Sequence, residues 1–305
     1  MKATGCTSFI AWRIALIAAA LTLGACDAAN ELANIGDGDQ VFYHVSLGTS
    51  LSVGVQPDSN GLRLPTGDGY ADQLYDSIRP AFEAGGAQPR ELELVKLGCA
   101  GETLDDMISG GSCLYIARSQ LDAAVDFLND NSGRIHLVTI DIGGNDFRNA
   151  GCITTMVDIN CVNAVSAQIA TDLATVLSAL SNAAGPNTPI VGMNYYNPYL
   201  GSWIVGPAGE TLAMESAQAA TVLNDFLSTT YATAGINMAD VYTAFGSGDF
   251  TMVPSPLDPN DMLPMSVANI CTFTYMCDPP PVGPDIHANV AGYSLIADTL
   301  AAVMP

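Results

Sequence analysis

Four short stretches carry residue types that could do chemistry together. An apolar run ends in "YHVSLGTSLSVG", with Ser50 two residues after Gly48. Further along come "LGCAGET" with Gly101, "GGND" with Asn145, and "GPDIHANVAGY" with Asp285 and His287. These are the types that acyl transfer needs. A serine hydroxyl is a poor nucleophile until a base takes its proton, and histidine titrates near the working pH. The developing oxyanion needs fixed donors, each worth roughly 3–4 kcal/mol. The backbone N–H groups of Ser50 and Gly101 and the side-chain amide of Asn145 could supply three, and glycine at 101 lets backbone approach substrate with no Cβ in the way. Of the three histidines, His44 and His136 fall within predicted strands, which leaves His287 as the base.

The elements that must position these residues alternate. Strands are predicted at Val41–Leu47, Leu92–Leu97, Ile135–Ile142, Pro189–Met193 and Ile236–Val241. The third, "IHLVTIDI", is apolar enough to be buried on both faces. Tyr70, Leu74, Ile78 and Phe82 mark one helix face, and Val165, Ile169, Leu173, Val176 and Leu180 mark a long helix that stops at Gly185-Pro186. Further helices are expected over Leu114–Leu128, Ala213–Ala234 and Asn289–Val303. The pattern predicts an α/β sandwich with a central parallel sheet and helices on both faces. In such sheets ligands sit beyond the carboxyl ends of the strands, where Ser50, Gly101 and Asn145 fall.

Each block has a plainer reading in isolation. Ser50 could be a helix N-cap, Asn145-Asp146 a turn, Gly101 the start of a helix at "GETLDDM", and Asp285 a loop carboxylate. His136 reads as a satisfied core histidine. Asp141, inside an apolar strand, would be costly if buried without partners, and could bond the active-site loops.

Four blocks in this order resemble the SGNH hydrolase family, the GDSL esterases and lipases, whose signature residues match Ser50, Gly101, Asn145 and His287. The resemblance runs from about Val41 to Val303, and "TYMCDPPPVGPDIHANVAGY" is similar to secreted bacterial members. It implies a flavodoxin-like three-layer sandwich, ester hydrolysis through an acyl-enzyme on Ser50, and no cofactor. Two departures stand out. The usual Gly-Asp-Ser reads Gly48-Thr49-Ser50, and the aspartate usually three residues before the histidine is replaced by Pro284, with Asp285 two before. Either Asp285 or a backbone carbonyl such as that of Pro284 then orients His287. The expected substrate is a small-molecule or lipid carboxylic ester. A carbohydrate deacetylase, a phospholipase, and a non-catalytic glycan- or lipid-binding surface protein are the alternatives.

Composition bounds the setting. Lys2 and Arg13 precede a short apolar run that ends in small residues, the pattern of a secretory signal over residues 1–25. Leu23-Gly24-Ala25-Cys26 reads as a lipobox with Cys26 lipidated, beside the reading of an ordinary signal cleaved after Ala25. Residues 26–40 read as an acidic tether and 41–305 as one hydrolase domain that should be soluble. Acidic residues outnumber basic ones 31 to 9, and a field of that sign repels nucleic acid and leaves a lipid anchor as the route to a membrane. Six cysteines remain after Cys6 and Cys26 are set aside, and sequence proximity favours the pairs Cys99–Cys113, Cys152–Cys161 and Cys271–Cys277 in an oxidising compartment. No CxxC or HxxxH favours zinc, and Asp37, Asp39, Asp258 and Asp261 lack the calcium-loop spacing. Met252, Met262, Met265 and Met276 precede His287 and either line an acyl pocket or simply pack beneath a long loop, with Tyr195–Leu200 at the border of the site.

Overall fold

The computed structural model describes residues 40–86 and 88–305. The signal, Cys26 and nearly all of the tether, with Asp37 and Asp39, lie outside the described residues. Among the described residues nine strands occur in chain order. They are β1 (Gln40–Gly48), β2 (Val55–Pro57), β3 (Arg63–Pro65), β4 (Arg90–Lys96), β5 (Ile135–Asp141), β6 (Ile190–Met193), β7 (Asn237–Ala239), β8 (Met252–Pro254) and β9 (Met262–Pro264). Five form one sheet in the order β4-β1-β5-β6-β7, with every neighbour parallel. Counting only these five, the order is 2-1-3-4-5, the flavodoxin-like winding. Its switch point lies between β1 and β5, whose following connections leave on opposite sides.

The helices are α1 (Tyr70–Ala84), α2 (Leu104–Ser109), α3 (Gln120–Asp130), α4 (Gly144–Asn149), α5 (Ile159–Ala184), α6 (Pro207–Thr233), α7 (Val241–Ala244), α8 (Met265–Phe273) and α9 (Val290–Ala301). A strand buried on both faces must feed two cores, and β5 does so. Val138 and Ile140 pack with Leu128, Ile169, Leu173 and Leu227 under α3, α5 and α6, while Leu137 packs with Tyr70, Leu74, Tyr293 and Ile296 under α1 and α9. Among the described residues α5 alone is long and apolar enough to cross a membrane by length and composition. Its buried residues, from Val162 to Ala184, follow helical spacing and belong to the core.

The helix expected from Leu114 begins only at Gln120. The Ser119 side chain caps it by accepting from the Asp122 N–H, while the preceding loop is held to the sheet by the Cys99–Cys113 disulfide and by Tyr115, whose hydroxyl donates to the Leu97 carbonyl at 2.8 Å. Leu114 and Ile116 consequently point into solvent. The other two disulfides are Cys152–Cys161 and Cys271–Cys277. The core histidine is His44 rather than His136. His44 is fully buried, bonded through Nε2 to Thr139 Oγ1 at 3.0 Å, and pushed down to about 3 by burial. His136 is only partly covered and packs on Phe82.

Candidate active site

Residues 49–54, after β1, form successive turns and no helix starts there, so Ser50 is not an N-cap. Gly48 makes the entry possible. Its φ of 129° suits glycine, and a Cβ would run into the Asp141 carbonyl. Thr49, where the family has aspartate, bonds to a carboxylate instead of supplying one. Its hydroxyl donates to Asp141 Oδ2 at 2.5 Å and its N–H to the same oxygen at 3.2 Å, while Tyr70 donates to Oδ1 at 2.8 Å. The buried Asp141 is thus fully partnered, and it ties the turn that carries Ser50 to the end of β5. Burial raises it to about 7 against the pull of those hydrogen bonds.

The next two blocks are bound to each other. Asp146 accepts the Leu104 N–H at 3.0 Å, and Asn145 Nδ2 donates to the Glu102 carbonyl at 2.9 Å. One amide hydrogen of Asn145 is spent on that bond, and the other remains available. Gly101 has a φ of 88°, and a Cβ there would meet no atom within 4 Å. The backbone conformation therefore calls for glycine, and the space beside it is open. Among the described residues neither the Ser50 nor the Gly101 N–H donates to a protein acceptor. Glu102, 1% exposed, is raised to about 7 by burial and by Asp106.

The fourth block arrives on the loop before α9. Asp285 Oδ1 lies 2.6 Å from His287 Nδ1 and accepts the His287 backbone N–H at 2.9 Å. The carboxylate therefore folds forward over its own chain, and the imidazole is oriented by Asp285 and not by the Pro284 carbonyl. Asp285 Oδ2 is held by the Arg63 guanidinium from β3. Burial alone would raise Asp285, but the bonds from His287 and Arg63 outweigh it and hold the carboxyl well below its usual range. Tyr196 donates to the Ile286 carbonyl at 2.7 Å and fixes the loop between the two. Arg63 had no signal in the sequence, and Tyr196 was expected at the border of the site but not as the anchor of this loop.

Ser50, Asn145 and His287 line one pocket of about 170 Å³, and Gly101 adjoins it through the Asn145–Glu102 bond. Its walls are Phe147, Ile153, Tyr195, Tyr199, Ala220 and Leu223. None of the four methionines that could have lined it contributes. Met252 and Met262 lie in the β8–β9 hairpin, half-exposed, while Met276 packs against Gly201. Tyr195 to Tyr199 do line the pocket as expected. Among the described residues no group of three His, Cys, Asp or Glu side chains could hold a metal ion.

The sequence model of the GDSL-like Lipase/Acylhydrolase family matches residues 46–295, from β1 into α9. The chain belongs to this family. It is a hydrolase acting on esters. No curated protein matches the GDSL-like chain in sequence. Among solved structures it is similar to an extracellular lipase from Streptomyces rimosus, at 21% identity and a TM-score of 0.53, over 86% of this chain and 99% of that one. A phospholipase A1 from Streptomyces albidoflavus is 20% identical with a TM-score of 0.51, over the same shares of both chains. The lipase Lip_vut3 from a goat rumen metagenome is 16% identical with a TM-score of 0.53, over 86% and 97%. At these identities the likeness is one of fold. Three disulfides in a GDSL-like hydrolase suit an exported protein.

Proposed function

We propose that this hydrolase cleaves carboxylic esters through an acyl-enzyme on Ser50. His287 takes the serine proton through Nε2 as the hydroxyl attacks the carbonyl carbon, and Asp285 holds the imidazole through Nδ1. The tetrahedral oxyanion is received by the N–H groups of Ser50 and Gly101 and the second amide hydrogen of Asn145. His287 then returns the proton to the departing alcohol, and the same histidine activates water to release the acid. The observation that carries this reading is the Asp285–His287 pair, closed at 2.6 Å and presented to the pocket that also holds Ser50 and Asn145. The unpaired N–H groups of Ser50 and Gly101 support it, since an oxyanion hole must be preorganised and empty before reaction. Arg63 and Asp141 act as positioning residues, one on the acid and the other on the nucleophile turn.

Around this site, residues 41–305 form one hydrolase domain. Residues 26–40 tether it to a lipidated Cys26, and residues 1–25 are removed on export.

The test is hydrolysis of p-nitrophenyl esters from acetate to palmitate, alongside labelling by a fluorophosphonate, which demands an activated serine. Asn145→Ala is expected to lower kcat roughly 100-fold or more, because one oxyanion donor is lost. Resistance to the label together with inactivity on every ester would overturn the reading in favour of a binding protein. The apolar wall should receive the acyl chain, so Ile153→Trp is expected to shift the preferred acyl length to shorter esters. An unchanged profile would put the acyl chain elsewhere.

A further inference from the structure

Cations are scarce in this chain, and their placement is informative. Seven basic residues fall among the described ones, and none follows Arg148. Six are engaged within the fold. Arg63, Lys96 and Arg118 pair with Asp285, Asp72 and Asp122, while the remaining three arginines before 148 lie over Tyr75, Phe82 and Tyr43. Among the described residues Arg148 alone has no carboxylate, no side-chain hydrogen bond and no ring beneath it. It is exposed, and it lines the catalytic pocket.

Its position is set by α4. Asn145 and Arg148 are three apart, so they share one helix face about one turn, or roughly 5.4 Å, from each other. Both line the pocket, and Tyr199 of the same wall feels the arginine's charge. We propose that Arg148 receives an anionic group on the substrate. The preferred esters would carry a phosphate or carboxylate a few bonds from the scissile carbonyl, with the acyl chain on the apolar wall. A guanidinium fork suits either anion. With a net charge of −22 the protein repels anions in general, so a local unpaired cation at the pocket mouth is what such a substrate requires. An arginine in the last turn also complements the dipole of α4, a role that asks nothing of the substrate. The inference rests on the ester hydrolysis proposed above.

The experiment compares 1-butyrylglycerol 3-phosphate with 1-butyrylglycerol, which differ only in the phosphate, using the native protein, R148Q and R148K. The native protein should favour the phosphate ester. In R148Q the ratio of kcat/KM between the two esters should fall about tenfold, mainly through KM, as expected for a lost charged hydrogen bond. R148K should fall between them, keeping the charge but not the fork. O-butyryllactate tests the carboxylate source. A fall matching that of the phosphate ester sustains a general anion site, and a fall confined to the phosphate ester sustains a phosphoryl-selective one. A native preference for the neutral ester, or the same ratio in R148Q, would overturn the proposal while leaving the hydrolase intact. No turnover of any ester, with Ser50 inert to fluorophosphonate, would instead overturn the hydrolytic reading and this inference with it.

Discussion

Ser50→Ala is expected to lower kcat by about 10⁴-fold or more, the loss seen when a nucleophile that acts as a unit with its base is removed. Binding of ester should survive, because the pocket wall and the oxyanion donors are untouched. The fold should survive too. The Ser50 hydroxyl makes no hydrogen bond among the described residues, and the turn is held by Thr49 and by the Val55 N–H donating to the Ser50 carbonyl at 2.9 Å. Stability should therefore stay within about 0.5 kcal/mol of the native protein. The pairing of these two measurements matters. A variant that is inactive and unfolded says nothing about chemistry, whereas one that is inactive with an unchanged urea midpoint assigns the loss to the hydroxyl. Turnover surviving at more than a few per cent in a folded Ser50→Ala protein would remove Ser50 from the mechanism.

The placement of the site was legible because it depends on strands whose burial is written in their residue types. β1 and β5 are apolar runs that end in glycine-bearing turns, and parallel winding then forces their carboxyl ends to one rim. Ser50 and Asn145 follow from that alone, and Gly101 follows the neighbouring β4. The partner of His287 was less legible. Two residues apart in extended chain would face the same way, but the Asp285 carboxylate instead bends forward to take both the backbone N–H and Nδ1 of His287. Only the path of the loop distinguishes this from a carbonyl acting in its place. Arg63 lies 222 positions from Asp285, on a three-residue strand with no periodicity to announce it. The methionines were ambiguous for a related reason. Their type says that they pack adaptably, yet it carries no direction, and the β8–β9 hairpin turns two of them outward. The pocket wall comes from α4, the Cys152–Cys161 loop and α6, segments far apart in the chain.

Asp141 had a visible liability in the sequence and has a use in the structure, and its titration gives the second large effect. Folding raises its carboxyl from 3.8 to about 7, chiefly by burial. The folded state then binds a proton that the unfolded state has released, so the stability this group contributes is fully present below about pH 4 and declines as pH rises through 7. The interval between 3.8 and about 7 corresponds to on the order of 4 kcal/mol. Asp141→Asn removes that titration while keeping the contacts, since the amide oxygen can accept from Thr49 and the amide nitrogen can donate to the Tyr70 hydroxyl. Urea unfolding at pH 4.5 and at pH 8.5 should show the variant gaining on the native protein by several kcal/mol between the two. The other shifted carboxyls, Glu102, Asp146 and Asp285 among them, are present in both proteins and cancel in the comparison. Parallel pH profiles would mean that Asp141 titrates normally and that its burial is relieved by water. Asp141→Leu should behave differently from Asp141→Asn. It strands the Thr49 N–H and the two hydroxyls without an acceptor, at about 1–3 kcal/mol for each buried group left unpaired. It also unties the turn that carries Ser50, so kcat should fall in Asp141→Leu and be largely retained in Asp141→Asn. That split would show the carboxylate serving Ser50 through Thr49.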